Sequence, residues 1–351
     1  MQAIEVTQIQ WNKSATEQLL GQGLGRLPHA MLLVGPAGVG KTVFAEELAR
    51  LLLCESIAPD LTACGQCQAC TWLNAGNHPD FRRVEPDSDD EAEDGASEKV
   101  GEKGKKRSQR IIRIDRIREL EPFIFVGSHR HGNRVVLITE AEAMNPAAAN
   151  ALLKILEEPP SSVYFILASS RQKTLLPTVR SRCRIIPFGA PDVAAATAWL
   201  ARAGLDGHAA RYLNLAGGAP IRVAQWNEQG HLVPIDALVD SLISPPADPI
   251  ALAARWDALL KSEALFRTEN LVEGVQRWLF DLAQERMTGE IRYHGGWPRP
   301  KGVQSLSLNA LLAAWRDINQ FRRSARHPLN QLLFLENLAA HFLRGLRPAT
   351  P

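Results

Sequence analysis

The chain has 351 residues, 45% hydrophobic and 22% charged, with a formal net charge of +2 and five cysteines. That length accommodates about two or three domains with full-sized cores, and no apolar stretch approaches the roughly 20 residues of a membrane span. Near-neutral charge gives no global electrostatic case for nucleic acid, so such contact needs a local basic patch or a partner. The N-terminus lacks a basic region followed by an apolar core, which makes a cytoplasmic location the expectation and leaves the cysteines as thiols or metal ligands rather than a disulfide framework.

Ser14 and Glu17 have the spacing of a capping box and predict a helix to about Leu20. Met31 to Val34 is a short apolar run of the buried-strand type. It breaks into Gly35, Pro36, Ala37, Gly38, Val39, Gly40, Lys41 and Thr42, after which Thr42 to Leu53 reads as a helix. Asp80 to Val84 is a plausible second strand. Residues 86–109 hold six acidic side chains from Asp87 to Asp94, then Lys103, Lys105, Lys106 and Arg107, with almost nothing apolar. Such a segment cannot offset its ordering entropy and predicts a disordered surface loop, the alternative being that its basic half touches nucleic acid.

A helix is expected from Ile111 to about Glu121, a strand over Arg134 to Thr139, and an alanine- and leucine-rich helix from Pro146 to Glu158 that stops before Pro159-Pro160. Val163 to Ser169 and Cys183 to Phe188 are further strands. Strands alternating with helices imply a parallel α/β sheet with ligand groups at the carboxyl ends of the strands. From about Pro191 the pattern becomes helical throughout. Leu271, Val275, Trp278, Leu279 and Leu282 form one stripe, and Leu308, Leu311, Leu312, Trp315 and Ile318 another. Core packing and oligomerisation both suit such stripes.

The run from Gly35 to Thr42 satisfies G-x-x-x-x-G-K-[ST] between a strand and a helix. Glycines let backbone N–H groups converge on a polyphosphate, Lys41 can reach its outer phosphates, and the Thr42 hydroxyl can take Mg²⁺. A chance glycine turn is the bland alternative. Cys54, Cys64, Cys67 and Cys70 have the spacing of a closed Cys₄ site for structural Zn²⁺, with free or redox thiols as the alternative; His78 nearby could be a ligand, though a surface histidine is the simpler expectation. A P-loop ATPase normally has an acid at the end of a neighbouring strand to hold Mg²⁺. Thr139 stands there instead, which argues against fast turnover. Glu140 remains as a candidate base and Glu142 as a candidate substitute acid, although glutamates at a strand end are often simply solvated. Arg180 and Arg182 lie just before a strand, where one of them could stabilise phosphoryl charge or form only a surface salt bridge.

Together, the P-loop, the cysteines, Asn150 to Pro160 (NALLKILEEPP) and Ser181-Arg182-Cys183 resemble the bacterial DNA polymerase III clamp-loader subunits of the AAA+ ATPases. The resemblance covers about residues 8–232 strongly and the rest weakly, through Asn330 to Leu338. Thr139, the Asn145-to-Ala149 approach to the leucine helix and the chain's length place it nearer the non-motor stator type than the motor type.

The resemblance implies an α/β AAA+ P-loop domain over 1–189, with a zinc module at 54–70 and the charged loop at 86–109. A helical lid over 190–232 and an all-α collar over 233–351 would follow. The collar would join a hetero-pentameric ring with motor (gamma/tau) and delta subunits, acting on a sliding clamp and primed DNA with no membrane partner. By position, Arg182 would be the arginine finger completing a neighbour's ATP site, Ser169 and Ser170 would lie in the sensor 1 region, and Arg222 in the sensor 2 helix. The intact P-loop makes ATP binding, with Mg²⁺, an expectation for this chain as well. Two other readings stay open: a motor-type ATPase relying on Glu140 and Glu142, and a P-loop nucleotide kinase with a zinc-bearing lid, for which the long helical C-terminal region has no place.

Overall fold

A computed structural model of the chain describes residues 11, 13–21, 23–87, 111–125, 132–205, 207, 209–262, 265–325 and 330–348. The expected charged loop at 86–109 lies, apart from its first two residues, outside the described residues. The chain divides into two compact units between Pro191 and Asp192.

The first unit runs α1 (Lys13–Leu20), β1 (Ala30–Val34), α2 (Lys41–Leu53), α3 (Gln68–Asn74), β2 (Phe81–Val84), α4 (Ile114–Arg118), α5 (Leu120–Phe125), β3 (Arg134–Ile138), α6 (Pro146–Glu157), β4 (Val163–Ser169), α7 (Pro177–Arg182) and β5 (Arg184–Pro187). Its sheet has five strands in the order β2-β3-β4-β1-β5, every pairing parallel. β1 and β3 are buried at every position and β4 at all but Tyr164, as expected for central strands covered on both faces. The edge strands β2 and β5 are half exposed and carry Arg82, Arg83 and Arg184, charges that discourage edge-to-edge pairing. One core cluster unites Leu32, Val136, Ile138, Phe165 and Leu167 of the sheet with Leu152, Ile155 and Leu156 of α6 and Val179 of α7.

Two local expectations need correction. α1 begins at Lys13, one residue ahead of Ser14. The helix expected over 111–121 is two short helices, because Pro122 in the first turn of α5 lacks an N–H and its ring clashes with the carbonyl four residues earlier. Ile112, ahead of them, bridges Met144. α6 starts as its sequence suggests: the Asn145 side chain accepts from Ala148 N at 2.7 Å and Pro146 occupies the first turn.

Among its described residues the second unit has eight helices and no strand: α8 (Val193–Arg202), α9 (Ala209–Leu215), α10 (Pro220–Glu228), α11 (Leu232–Ile243), α12 (Pro249–Ser262), α13 (Thr268–Thr288), α14 (Leu308–Ser324) and α15 (Gln331–Gly345). The α13 stripe is wholly buried, whereas on α14 the buried side chains are Leu311, Ala314 and Ile318, with Leu312 exposed. Trp256 packs against Phe342 and donates its indole N–H to Ser241 Oγ at 2.9 Å. Asp281, fully buried, accepts from the backbone N–H groups of Arg292, Tyr293 and His294 and pairs with His294 Nδ1 at 2.9 Å. That carboxylate fastens the segment after α13 back onto the helix. No described helix is long and apolar enough to cross a membrane.

Candidate functional site

Strand order decides where the phosphate loop sits. β1 lies between β4 and β5, with Val34 paired to both Ser169 and Pro187, so Gly35, Ser170 and Phe188 leave the sheet side by side. Gly35 N donates to Ser169 O, and Phe188 N to Val34 O at 2.7 Å. Gly38 and Gly40 adopt φ of 80° and 101°, conformations that favour glycine. Gly40 caps α2, whose N-terminus faces the loop. Pro36 and Ala37 are exposed, Gly38 and Thr42 half-buried and Val39 buried. The Trp11 indole donates to Val39 O at 2.9 Å, so Trp11 lies against the loop.

Lys41 is buried. Its ammonium donates to Gly35 O at 2.8 Å, Pro36 O at 2.6 Å and Ser170 Oγ at 3.2 Å. Burial lowers its pKa to about 8, opposed by the charge of Glu142. The two Glu142 oxygens accept from Ser170 N at 3.0 and 3.2 Å, and its side chain is 5% exposed. Glu142 is therefore the acid facing the P-loop lysine. Glu140 is exposed on a left-handed backbone with φ of 49°, and the turn it makes redirects the chain so that Glu142 points inward. Thr139 is buried, with its hydroxyl directed at Val84 O at 3.5 Å. Glycine loop, helix N-terminus and buried lysine fit the phosphate end of a nucleotide. The metal side fits less well, since the strand end offers a hydroxyl and Glu142 is engaged by a backbone N–H.

The sulfur atoms of Cys54, Cys64, Cys67 and Cys70 lie within 4.8 Å of one another. Cys54 Sγ is 3.6 Å from Cys64 Sγ and 4.0 Å from Cys67 Sγ, close to the ~3.8 Å edge of a tetrahedron with Zn–S bonds of about 2.3 Å. Cys64 N donates to Cys54 Sγ, Cys67 N to Cys64 Sγ, and Cys70 N to Cys67 Sγ, at 3.3, 3.3 and 3.5 Å. Such bonds favour thiolates. Backbone donation from Gln66 and Cys67 lowers the Cys64 thiol to about 6, while burial pushes Cys54 and Cys70 up. This donor set fits a closed tetrahedral metal site. His78, expected at the surface, is buried: its Nδ1 accepts from Asp80 N at 3.0 Å and its ring meets Trp72 edge-on.

Arg182 ends α7 half-exposed, with Nη2 on Glu157 Oε1 at 2.5 Å. Arg222, in the second unit, pairs with Glu273 at 3.2 Å and lies over the Trp226 ring. Burial opposes charge on Glu273, but the Arg277 and Arg222 guanidiniums hold its carboxyl below the ordinary range.

Sequence reasoning proposed Glu142 only as a substitute. It missed the pairing of Glu157 with Arg182 and the Asp281–His294 lock, because each joins positions that no local spacing connects.

The DNA polymerase III subunit delta' of Pseudomonas aeruginosa is 40% identical over 223 residues, 63% of this chain and 61% of that protein. The subunit delta' of Escherichia coli is 34% identical over 193 residues, 55% of this chain and 52% of that protein. The subunit gamma/tau of Mycobacterium bovis is 38% identical over 164 residues, 47% of this chain and 25% of that protein. The matched stretch thus spans under two thirds of each relative. The family described as DNA polymerase III, delta subunit, matches residues 13–192, which is just over half of the chain and takes in the phosphate loop, the four cysteines and Arg182. On that match, the chain belongs to the DNA polymerase III delta subunit family.

Proposed function

We propose that the chain works as a delta-prime-type clamp-loader subunit, a stator that holds nucleotide weakly or passively and lends Arg182 to the ATP site of a neighbouring motor subunit. The observation that supports this most directly is a contrast within the first unit. Thr139, where a motor's metal-binding acid belongs, is buried and turned to Val84 O, whereas Arg182 is displayed at the end of α7. In this reading the N-terminal unit is the AAA+ domain, residues 190–232 are a lid and residues 233–351 a collar. The partners are gamma/tau and delta subunits in a pentameric ring that loads a sliding clamp onto primed DNA in the cytoplasm. Ser169 and Ser170 sense the chain's own nucleotide, Arg222 belongs to the lid, and the four cysteines hold a structural Zn²⁺ that tethers the start of α3 to the end of α2.

Lys41 performs the electrostatic part of nucleotide binding. A phosphate oxygen replaces the Gly35 and Pro36 carbonyls as its acceptor, while the loop N–H groups and the α2 N-terminus take the remaining charge. Without an acid at position 139, the attacking water and the metal lack the group that would order them, so turnover is slow.

One observation favours a motor-type reading: Glu142 is buried and faces Lys41. The isolated chain, given ATP, Mg²⁺, primed DNA and clamp, separates the two. Turnover well above background without any motor subunit would overturn the stator assignment. In the assembled ring, Arg182→Ala is expected to depress turnover while this chain's own nucleotide affinity stays unchanged. Loss of that affinity would place the arginine in its own site.

A further inference from the structure

Ile155 and Leu156, near the end of α6, share a buried cluster with Leu175, Val179 and Cys183 around α7. That packing fixes the two backbone segments that carry Glu157 and Arg182, 25 residues apart in sequence. Between them, Arg182 Nη2 donates to Glu157 Oε1 at 2.5 Å, and Nη1 donates to Thr178 O at 3.2 Å. Two anchors on different nitrogens orient the planar guanidinium, which has five N–H donors in a fixed fork. The side chain remains 35% exposed, so its remaining donors stay open to an incoming anion. Among the described residues, neither Arg180 nor Arg184 has a carboxylate partner of this kind.

An ion pair this exposed adds little to folding stability, but it restricts a long side chain with many rotamers. Restriction matters where geometry decides rate, because a misplacement of about 1 Å at a reacting centre costs up to roughly a hundredfold. We infer that Glu157 is the positioning residue for Arg182: its carboxylate holds the guanidinium extended and oriented, ready for the phosphoryl oxygens of a nucleotide bound by a neighbouring subunit. This rests on the role proposed above for Arg182. A single carboxylate suits such a task, since it pairs with the guanidinium yet yields to the higher charge of a triphosphate. Glu157 ends α6, a helix held by its own core contacts, so it anchors the guanidinium from an element separate from α7.

The test uses assembled clamp-loader rings containing wild-type chain, Glu157→Ala, Glu157→Asp, Arg182→Ala or the double variant Glu157→Ala/Arg182→Ala, each isolated as a complete ring. ATP turnover is measured across nucleotide concentration with clamp and primed DNA. Glu157→Ala is expected to lower kcat about tenfold with little change in KM, as fits a group that orients rather than binds. Glu157→Asp should recover part of the loss, and the double variant should match Arg182→Ala alone, since both residues act through one guanidinium. Wild-type kcat for Glu157→Ala beside a deficient Arg182→Ala overturns the inference and leaves the role of Arg182 standing. Equal turnover for Arg182→Ala and wild type overturns that role itself. Losses that add in the double variant give Glu157 a separate structural effect and also overturn the inference.

Discussion

Gly35 and Phe188 meet backbone to backbone: a Cβ placed on Gly35 would lie 2.0 Å from the Phe188 carbonyl oxygen. The end of β5 and the start of the phosphate loop therefore fit only through a glycine, a constraint separate from phosphate approach.

Gly35→Ala is accordingly expected to destabilise the chain by about 1–3 kcal/mol, as overpacking does, and to abolish nucleotide binding by pushing the loop off β5. Gly25→Ala is the control, since nothing lies within 4 Å of its would-be Cβ. Urea unfolding of the two variants measures the difference, and equal midpoints would contradict the close approach.

Cys67 is one of the four clustered sulfurs of the proposed zinc site and also the N-cap of α3, where its Sγ accepts from Cys70 N. Cys67→Ser should release zinc and shift the thermal midpoint downward, each kcal/mol lost moving it roughly 2–4 °C for a unit of this size. Elemental analysis of purified wild-type protein provides the other arm: a metal-free wild type with the same midpoint as Cys67→Ser would refute the site.

Lys41 offers a pH signature because burial lowers its pKa to about 8. Between that value and the unfolded value of about 10.4, the unfolded chain holds the proton more tightly, so the ligand-free protein gains stability as pH rises through this range. Nucleotide affinity moves the other way. It should be constant below pH 8 and fall above it, by up to about tenfold per pH unit, as the ammonium that meets the phosphates is lost. Titration of labelled ADP at pH 7 and pH 9 checks this, and Lys41→Met should abolish both the affinity and its pH dependence.

Burial lowers the His294 pKa, against the opposing charge of Asp281, and its Nε2 finds no partner among the described residues. The imidazole therefore folds neutral, donating from Nδ1 to Asp281. Below the unfolded histidine pKa of about 6.5 the unfolded chain takes up the proton first, so stability is full above that pH and declines as pH falls. His294 and its backbone N–H keep Asp281 ionised below the usual carboxylate range despite burial, which adds a second loss below about pH 4. Denaturant unfolding from pH 5 to 8 should show the first decline in wild type. His294→Gln should be about 1–3 kcal/mol less stable at pH 8 and should lack that decline.

Local chemistry made much of this molecule readable in advance. The phosphate loop declares itself through Gly35, Gly40 and Lys41. Pro146 and the alanine- and leucine-rich run after it announce α6, and the α13 stripe from Leu271 to Leu282 is buried as its period requires. Errors arose where tertiary partners outweighed the local pattern. Leu312 fits the apolar spacing of α14, yet Ala314 takes the buried place and Leu312 faces outward. His78 looks like a surface residue until β2 and α3 enclose it. At the candidate site the difficulty was direction rather than identity. Thr139, Glu140 and Glu142 are adjacent in sequence, but one left-handed residue at Glu140 turns the third inward and the second out. No periodicity encodes that turn, and the ion pair of Arg182 with Glu157 joins positions 25 residues apart with β4 between them, beyond any spacing rule.

The order β2-β3-β4-β1-β5 has a consequence for when the nucleotide site can exist. Lys41 follows β1, Ser170 follows β4 and Phe188 follows β5, so the cradle comes into being only after residues more than a hundred positions apart have been brought into register. Until β5 pairs with β1, the side of the cradle made by Phe188 against Val34 and Gly35 is missing. Any nucleotide that occupies the finished cradle ties three parallel strands together at their carboxyl ends and shifts the folding equilibrium of the whole sheet by mass action. On the proposed reading, a bound nucleotide would thereby stabilise the folded sheet without any turnover.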